Sequence, residues 1–340
     1  MSAHQRTYLA IPGGDPAGIG GEILLKALSR TPRSDDWGII VVADGPILQK
    51  TATDLGLPFD FDQVVDDSKA LKGAIEAGAQ HILYALRVVD VPAFRFGTIR
   101  GDCGRAAYDA LKVAVTLVQQ GMAKAIVTPP LHKEALKAAG IDEIGHTEIL
   151  QTLTASTKAV TMFDTLSLKI FFHSRHLSLR DACDAVTRES LLSTIAECDR
   201  ITQRNAGFNR CLPLAVAALN PHSSDGGLFG DEETVHIIPA IEDARAEGID
   251  VIGPIGADSV FYQARMGRWR AVISLYHDQG HIAAKTYDFN QTISVTWGLP
   301  FLRTSVDHGT AFDIAGLGVA DESGMVRAIQ AAIEYLGEGI

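Results

Sequence analysis

Hydrophobic and polar positions along the chain switch between a helical and a strand-like period almost throughout. Residues 7–11 and 38–43 are short apolar runs that read as strands, 13–21 is a glycine-rich turn, and 22–29 carries helical spacing. Over 104–120, Ala107, Leu111, Ala114, Leu117 and Val118 recur at helical spacing, Gly121 stands where a helix C-terminus favours glycine, and 125–128 returns to strand. At 231–247, Val235, Ile238, Ile241 and Ala244 mark a helix face, Asp231, Glu232 and Glu233 suit the positive end of its dipole, and Gly248 offers a stop. Such alternation predicts an α/β protein. No internal repeat, low-complexity tract or Pro/Gly/Ser-rich linker interrupts it, so a domain boundary, where one exists, is crossed by the chain more than once.

Three strand-like runs end on or near a histidine: 168–172 before His176, 214–219 before His222, and 271–276 before His277. In an open parallel sheet, ligands bind beyond the carboxyl ends of the strands. A single histidine there more often makes a local hydrogen bond. Three arriving independently point to a metal centre, because neutral imidazole is the commonest protein ligand and three protein ligands leave positions open for substrate or water. His173, His281 and His308 lie close by in sequence, so spacing alone does not choose among the histidines.

Composition narrows the function. The 340 residues, 46% of them hydrophobic, can bury a large core and suit two domains or one large one. Apolar stretches are interrupted well short of about 18 residues, and Met1 to Arg6 lacks the charged-then-apolar order of a secretory signal, so a soluble cytoplasmic protein without a membrane partner is expected. Cys103, Cys183, Cys198 and Cys211 show no C-x-x-C spacing and read as buried thiols rather than disulfides or zinc ligands. A formal charge of −11 argues against nucleic acid as a partner. An anionic small substrate would then need local positive charge, for which Lys285 and Arg303 are candidates, although either alone reads equally as a solvated surface residue.

Other segments carry competing readings. The turn 13–21 could bring backbone amides to a phosphate at a helix N-terminus, yet it lacks both G-x-G-x-x-G and Walker spacing and serves equally as a tight strand-to-helix connection. Asp44 imitates a ribose-binding acid without the accompanying fingerprint. Asn220-Pro221-His222, followed by Asp225-Gly226-Gly227, sets a histidine in a loop able to aim it into a cleft. Tyr276-His277-Asp278-Gln279-Gly280-His281 crowds polar groups after an apolar run at a density costly in a plain core. In Gly145-His146-Thr147-Glu148, Thr147 reads as the cap of a helix starting near Glu148 or, with His146, as part of a site.

Together these stretches resemble the 4-hydroxythreonine-4-phosphate dehydrogenase family of vitamin B6 (pyridoxine) biosynthesis and its relatives acting on other hydroxy acids. The likeness covers nearly the whole chain, through Gly14-Asp15-Pro16-Ala17-Gly18-Ile19-Gly20, Gly145-His146-Thr147-Glu148, Leu219-Asn220-Pro221-His222, Gly253-Pro254 with Ala257-Asp258, Tyr276-His277-Asp278-Gln279-Gly280, and Arg303-Thr304-Ser305-Val306-Asp307-His308-Gly309-Thr310-Ala311. The resemblance implies two α/β/α domains of isocitrate and isopropylmalate dehydrogenase type with a cleft between them. The first would comprise residues 1–135 and 298–340, and the second, carrying dimerisation and the metal site, 136–297. It implies a homodimer with shared active sites, and His176, His222 and His277 as ligands of a divalent metal: zinc, or magnesium, manganese or cobalt. His146, Thr147, Lys285 and Arg303 match substrate-binding positions. The run from His308 to Gly316 is similar to the adenosine loop of isocitrate and isopropylmalate dehydrogenases, so NAD or NADP is expected at His308, Gly309, Thr310, Ala311 and Asp313 rather than at the first glycine turn.

The activity so implied is metal-dependent, NAD(P)-linked oxidation of a phosphorylated hydroxy acid with decarboxylation, Lys285 supplying a proton and Asp258 assisting proton removal. One departure bears on the substrate. Where the vitamin B6 enzymes carry a substrate-binding asparagine, this chain has Ser294, whose shorter hydroxyl cannot make the same pair of bonds, and Trp297 stands at a usually aliphatic position. His281 is closer to the catabolic relatives that oxidise D-threonate or D-erythronate 4-phosphate. A cis-dihydrodiol carboxylate dehydrogenase is a further alternative within the family, and a metal-dependent hydrolase, activating water with the same imidazoles, is the rival from another class. A binding module with a structural metal is weaker, since the polar cluster after Tyr276 exceeds what metal retention needs.

Overall fold

Strands and helices alternate as β1 (Thr7–Pro12), α1 (Gly20–Arg30), β2 (Trp37–Asp44), α2 (Gly45–Leu55), β3 (Gln63–Val65), α3 (Ser68–Glu76), β4 (His81–Leu86), α4 (Gly101–Gln119), β5 (Ala125–Thr128), α5 (Lys133–Ala138) and α6 (His146–Thr154). There follow β6 (Val160–Thr165), β7 (Leu168–Phe172), α7 (Leu179–Asp184), α8 (Arg188–Arg204), β8 (Leu214–Ala217), α9 (Ile238–Ala246), β9 (Val251–Ile255), α10 (Ala257–Arg265), β10 (Ala271–Ser274), α11 (His277–Tyr287), β11 (Thr292–Trp297), β12 (Leu302–Val306) and α12 (Ser323–Leu336). This computed structural model describes residues 6–337 apart from 144 and 157, so the opening Met1 to Gln5, considered above for a signal sequence, lies outside the described residues. The fold is mixed α/β, and the chain divides into two compact units, residues 1–159 with 298–340, and residues 160–297.

In the first unit the strands run β3-β4-β2-β1-β5-β12, every neighbouring pair parallel. Covered on both faces, β2 is buried at all its positions, which is why it reads as a continuous apolar run rather than an alternating one. Gly121 ends α4 at φ 74°. The segment 136–159, which the sequence reading assigns to the second domain, packs here: α5 and α6 both lie on α4, and Leu136, Ile149 and Leu150 join the core around Ile126, Ala110 and Leu111. Gly104 makes that approach possible, since a Cβ there would stand 2.0 Å from the Ala135 carbonyl oxygen.

In the second unit the order is β11-β6-β7-β10-β8-β9. β6 pairs antiparallel with β11 and β7, and the remaining neighbours are parallel. Phe163, Ile170, Phe172, Ala215 and Val272 form its core. Trp297 is buried within this unit, its ring 5.9 Å from that of Phe208, so its bulk fills the interior. The helix expected over 231–247 begins as a π-type turn, Glu233–Ile237, and continues as α9; Ile241 and Ala244 are buried while Val235 and Ile238 face solvent.

The thiols are free, but they are not uniformly buried: Cys103 and Cys198 are, Cys183 is half-buried and Cys211 is exposed. No helix among the described residues is long and apolar enough to cross a membrane.

Candidate active site

β7, β10 and β8 are consecutive parallel neighbours in the second unit, and the residues beyond their carboxyl ends carry His176, His277 and His222. His277 opens α11. The buried amide of Gln279 ties that opening to its neighbours: Leu275 N–H donates to Oε1 at 2.8 Å, and Nε2 donates to the Ala218 carbonyl just past β8 at 2.8 Å. His222 sits in the turn Pro221–Asp225, where His222, Ser223, Ser224 and Asp225 all have positive φ, a strained run for non-glycine residues. Glu233 holds this turn. Its buried Oε1 accepts from Leu219 N at 2.9 Å and Asn220 N at 2.7 Å, and Oε2 accepts from Asn220 Nδ2 at 2.8 Å. In sequence Glu233 stands as a helix-dipole charge, distinguished only by being a third consecutive acid.

The His176 and His277 rings lie 6.3 Å apart. His277 donates Nδ1–H to Asp278 Oδ1 at 2.6 Å, leaving Nε2 as the lone-pair nitrogen, which is the arrangement that outer-shell carboxylates impose on metal-binding imidazoles. His281 stacks on His277 with ring centroids 3.6 Å apart and donates Nδ1–H to the His277 carbonyl at 2.8 Å. His173 is structural, with Nδ1 2.8 Å from Thr194 Oγ1 and Nε2 3.1 Å from the Ala185 carbonyl. Burial holds its imidazole below the usual pKa. Among the described residues, no three His, Cys, Asp or Glu side chains gather closely enough to hold a metal ion. The donor chemistry of His176, His222 and His277 fits a divalent cation, while one chain by itself does not close the set.

Lys285 lies two turns along α11 from His277, roughly 12 Å along the axis, with Nζ 5.3 Å from the Phe289 ring centre. Asp258 is exposed in the first turn of α10, beyond the end of β9. Ser294 is half-buried on β11, opposite Phe163.

The remaining predicted positions belong to the first unit, where the loops beyond β1, β5 and β12, again consecutive parallel strands, meet. Arg303 is buried on β12 and donates from Nε and Nη2 to Thr128 Oγ1 on β5 at 3.1 and 2.9 Å. Burial and the Arg303 charge hold the His146 imidazole well below its usual pKa, so it is neutral. His146 opens α6 behind Gly145 as N-cap, so Thr147, expected as a cap, lies inside the first turn instead.

Beyond β12, His308 donates Nδ1–H to the Gly309 carbonyl at 3.0 Å, and its buried Nε2 has no hydrogen-bond partner among the described residues. Thr310 is buried, Ala311 has φ 42°, and Asp313 is exposed. The glycine turn, set aside as a cofactor site from sequence, abuts this loop: Ile19 N–H donates to the Thr310 carbonyl at 3.0 Å, and a Cβ on Gly18 would lie 2.8 Å from Thr310 Cβ. Asp44 is structural. Its carboxylate caps α2 through Ile47 N at 3.1 Å and accepts from Val88 N and Val89 N at 2.7 and 2.9 Å.

Solved structures of the same fold place the chain among α/β dehydrogenases. A 4-hydroxythreonine-4-phosphate dehydrogenase from Klebsiella pneumoniae is 34% identical, with 100% of both chains covered and a TM-score of 0.86. One from Burkholderia phymatum is 35% identical, covering 97% of this chain and 98% of that one at a TM-score of 0.81. The family profile described as "Pyridoxal phosphate biosynthetic protein PdxA" matches residues 36–332, and the chain belongs to the PdxA family. A curated relative from Fusobacterium nucleatum, named "Putative D-threonate 4-phosphate dehydrogenase", is 45% identical over 332 residues, 97% of each chain.

Proposed function

We propose that the chain oxidises the secondary hydroxyl of a 4-phosphorylated four-carbon hydroxy acid, with decarboxylation, using NAD or NADP and a divalent metal. The observation that carries this reading is the delivery of His176, His277 and His222 from the ends of three consecutive parallel strands, with the His277 tautomer set by Asp278. These imidazoles would hold the cation, zinc or else magnesium, manganese or cobalt, which when bound supplies Lewis acidity at the substrate oxygen. The loop from His308 to Asp313 would hold the nicotinamide cofactor, which supplies the hydride acceptor.

The chain's own residues do the rest. Arg303, desolvated and fixed by Thr128, would bind the phosphate through its guanidinium fork, and neutral His146 with Thr147 would add uncharged hydrogen bonds. Ser294 Oγ would meet the substrate's C2–C3 end. Asp258 would take the hydroxyl proton on its carboxylate, and Lys285 would return a proton from Nζ to carbon after loss of carbon dioxide. Ser294 argues against 4-hydroxythreonine 4-phosphate, His281 is closer to the catabolic relatives acting on D-threonate or D-erythronate 4-phosphate, and the name of the 45% identical relative favours D-threonate 4-phosphate.

The working form is a homodimer with shared sites. Leu177 and Leu179 beside His176, Leu228 and Phe229 in the His222 loop, and Ile282 on α11 are all exposed large apolar residues, as an interface at the histidine loops would require.

Purified protein would be assayed with NAD or NADP and each metal against 4-phosphohydroxy-L-threonine, D-threonate 4-phosphate, D-erythronate 4-phosphate and a cis-dihydrodiol carboxylate. Reduced cofactor should form with a phosphorylated four-carbon acid and stop on chelation. Cofactor-independent hydrolysis of a substrate would replace this reading with the hydrolase one.

A further inference from the structure

Several buried acids take no part in the proposed chemistry, Asp15 among them. Asp15, in the glycine turn after β1, has no solvent exposure. Its Oδ1 accepts from Ala17 N at 2.9 Å, its own N–H donates to the Pro130 carbonyl at 3.1 Å, and its buried Oδ2 has no hydrogen-bond partner among the described residues. Two more buried atoms on the neighbouring loops share that condition: His132 Nδ1 beyond β5 and His308 Nε2 beyond β12. These loops brace one another. Besides the Ile19 to Thr310 bond, His132 stacks on Phe312 with ring centroids 4.4 Å apart, and a Cβ on Gly14 would lie 2.4 Å from the Pro130 carbonyl oxygen. Native proteins leave few buried polar atoms unpaired, and Asp15 places one in the turn that packs against residues 308–312.

We infer that Asp15 is a positioning residue for the nicotinamide cofactor, acting through the glycine turn that braces residues 308–312. The inference rests on the reading of that loop as the cofactor site.

Burial pushes the Asp15 carboxyl up to about 7, with the Asp102 charge adding to the effect and the Ala17 bond opposing it. The titratable and charged groups on the elements around it are Asp102 and Cys103 at the start of α4 with Arg100 paired to Asp102, His132 beyond β5, and His308 and Asp313 beyond β12. Below pH 7 Asp15 is neutral and the turn holds its place. Above it, a buried carboxylate with one unpaired oxygen lacks solvation and is repelled by the Asp102 charge, which drives the turn outward and slackens its hold on Thr310. Cofactor affinity therefore falls as pH rises through 7.

The test is NADH binding by fluorescence titration, without turnover, in the metal-loaded protein from about pH 6 to about pH 8.5. In the parent chain Kd should rise about tenfold across this range. Asp15→Asn should bind at the low-pH strength throughout, and Asp15→Ala weakly throughout. His308→Ala separates the two ideas. If it weakens NADH binding while Asp15→Asn titrates like the parent, the Asp15 role is overturned and the loop reading stands. If it leaves binding unchanged, the loop reading falls and the Asp15 role with it. Asp15→Asn is nearly isosteric, so the answer does not depend on the alanine variant folding.

Discussion

His281 lies face to face with His277 one helical turn away, ring centroids 3.6 Å apart and planes 13° from parallel, while its own Nδ1–H is donated to the His277 carbonyl. Phe163 and Phe172 bracket His281 at 4.4 and 4.6 Å, so the supporting ring is itself immobilised. His277 is thus oriented twice, by Asp278 at its edge and by His281 at its face. Groups that orient a metal-binding imidazole affect affinity even without touching the metal. His281→Ala should weaken zinc binding by about tenfold, and Asp278→Asn by a comparable factor, as read by competition with a chromogenic chelator. Unchanged zinc affinity in both variants would show that His277 is not a ligand.

Glu233 and Asn220 join the π-type turn before α9 to the strained loop bearing His222. Removing the carboxylate leaves the Leu219 and Asn220 amides without their acceptor beside four residues at positive φ. Glu233→Ala should destabilise the protein by about 3 kcal/mol and lower metal affinity together with turnover. Glu233→Gln, which keeps a carbonyl acceptor, should recover more than half of the loss. Chemical denaturation and metal titration of the two variants give the comparison.

Asp15 also makes a prediction about stability. Its folded pKa, about 7, lies above the ordinary carboxyl value of 3.8, so between these values the folded chain holds a proton that the unfolded chain has released. Stability consequently falls as pH rises through that window, and the full penalty is present above pH 7. Asp15→Asn removes the penalty. It should match the parent near pH 4 and exceed it at pH 8 by about 2–4 kcal/mol. Parallel denaturation curves at the two pH values decide it; an equal difference at both would mean that Asp15 does not titrate in this window.

How much of this was legible in the sequence depends on whether the signal was local. Strands such as β5 and β8 stand out because burial on both faces makes them unbroken apolar runs, and the histidines following β7, β8 and β10 could be found by looking just past strand-like runs. The placement of 136–159 could not, since it depends on α5 and α6 packing against α4, with Leu136, Ile149 and Leu150 in the core beside Ala110 and Leu111, and no local pattern announces that pairing. Glu233 read as a dipole charge because helix-start acids are common, and nothing local says that one of them turns inward. The glycine turn was set aside as a cofactor element because its spacing matches no known fingerprint. Its contact with Thr310 spans almost the whole chain and becomes visible only when β1, β5 and β12 stand side by side.

Ser294 gives the sharpest test of substrate choice. It faces Phe163 across the β6–β11 ladder, between Ile293 and Val295, both of which are fully buried, so the strand fixes the side chain's position and leaves little freedom to reach further. A hydroxyl there makes one short bond where a carboxamide would offer both a donor and an acceptor farther out. Ser294→Asn should shift the ratio of kcat/KM for 4-phosphohydroxy-L-threonine over D-threonate 4-phosphate by about tenfold towards the amino acid, the worth of one well-made hydrogen bond in the transition state. Most of the change should appear as gained activity on 4-phosphohydroxy-L-threonine, whose amino group can donate to the carboxamide oxygen. A variant whose preference is unmoved, with its fold intact by circular dichroism, would place substrate discrimination elsewhere and remove Ser294 from the site.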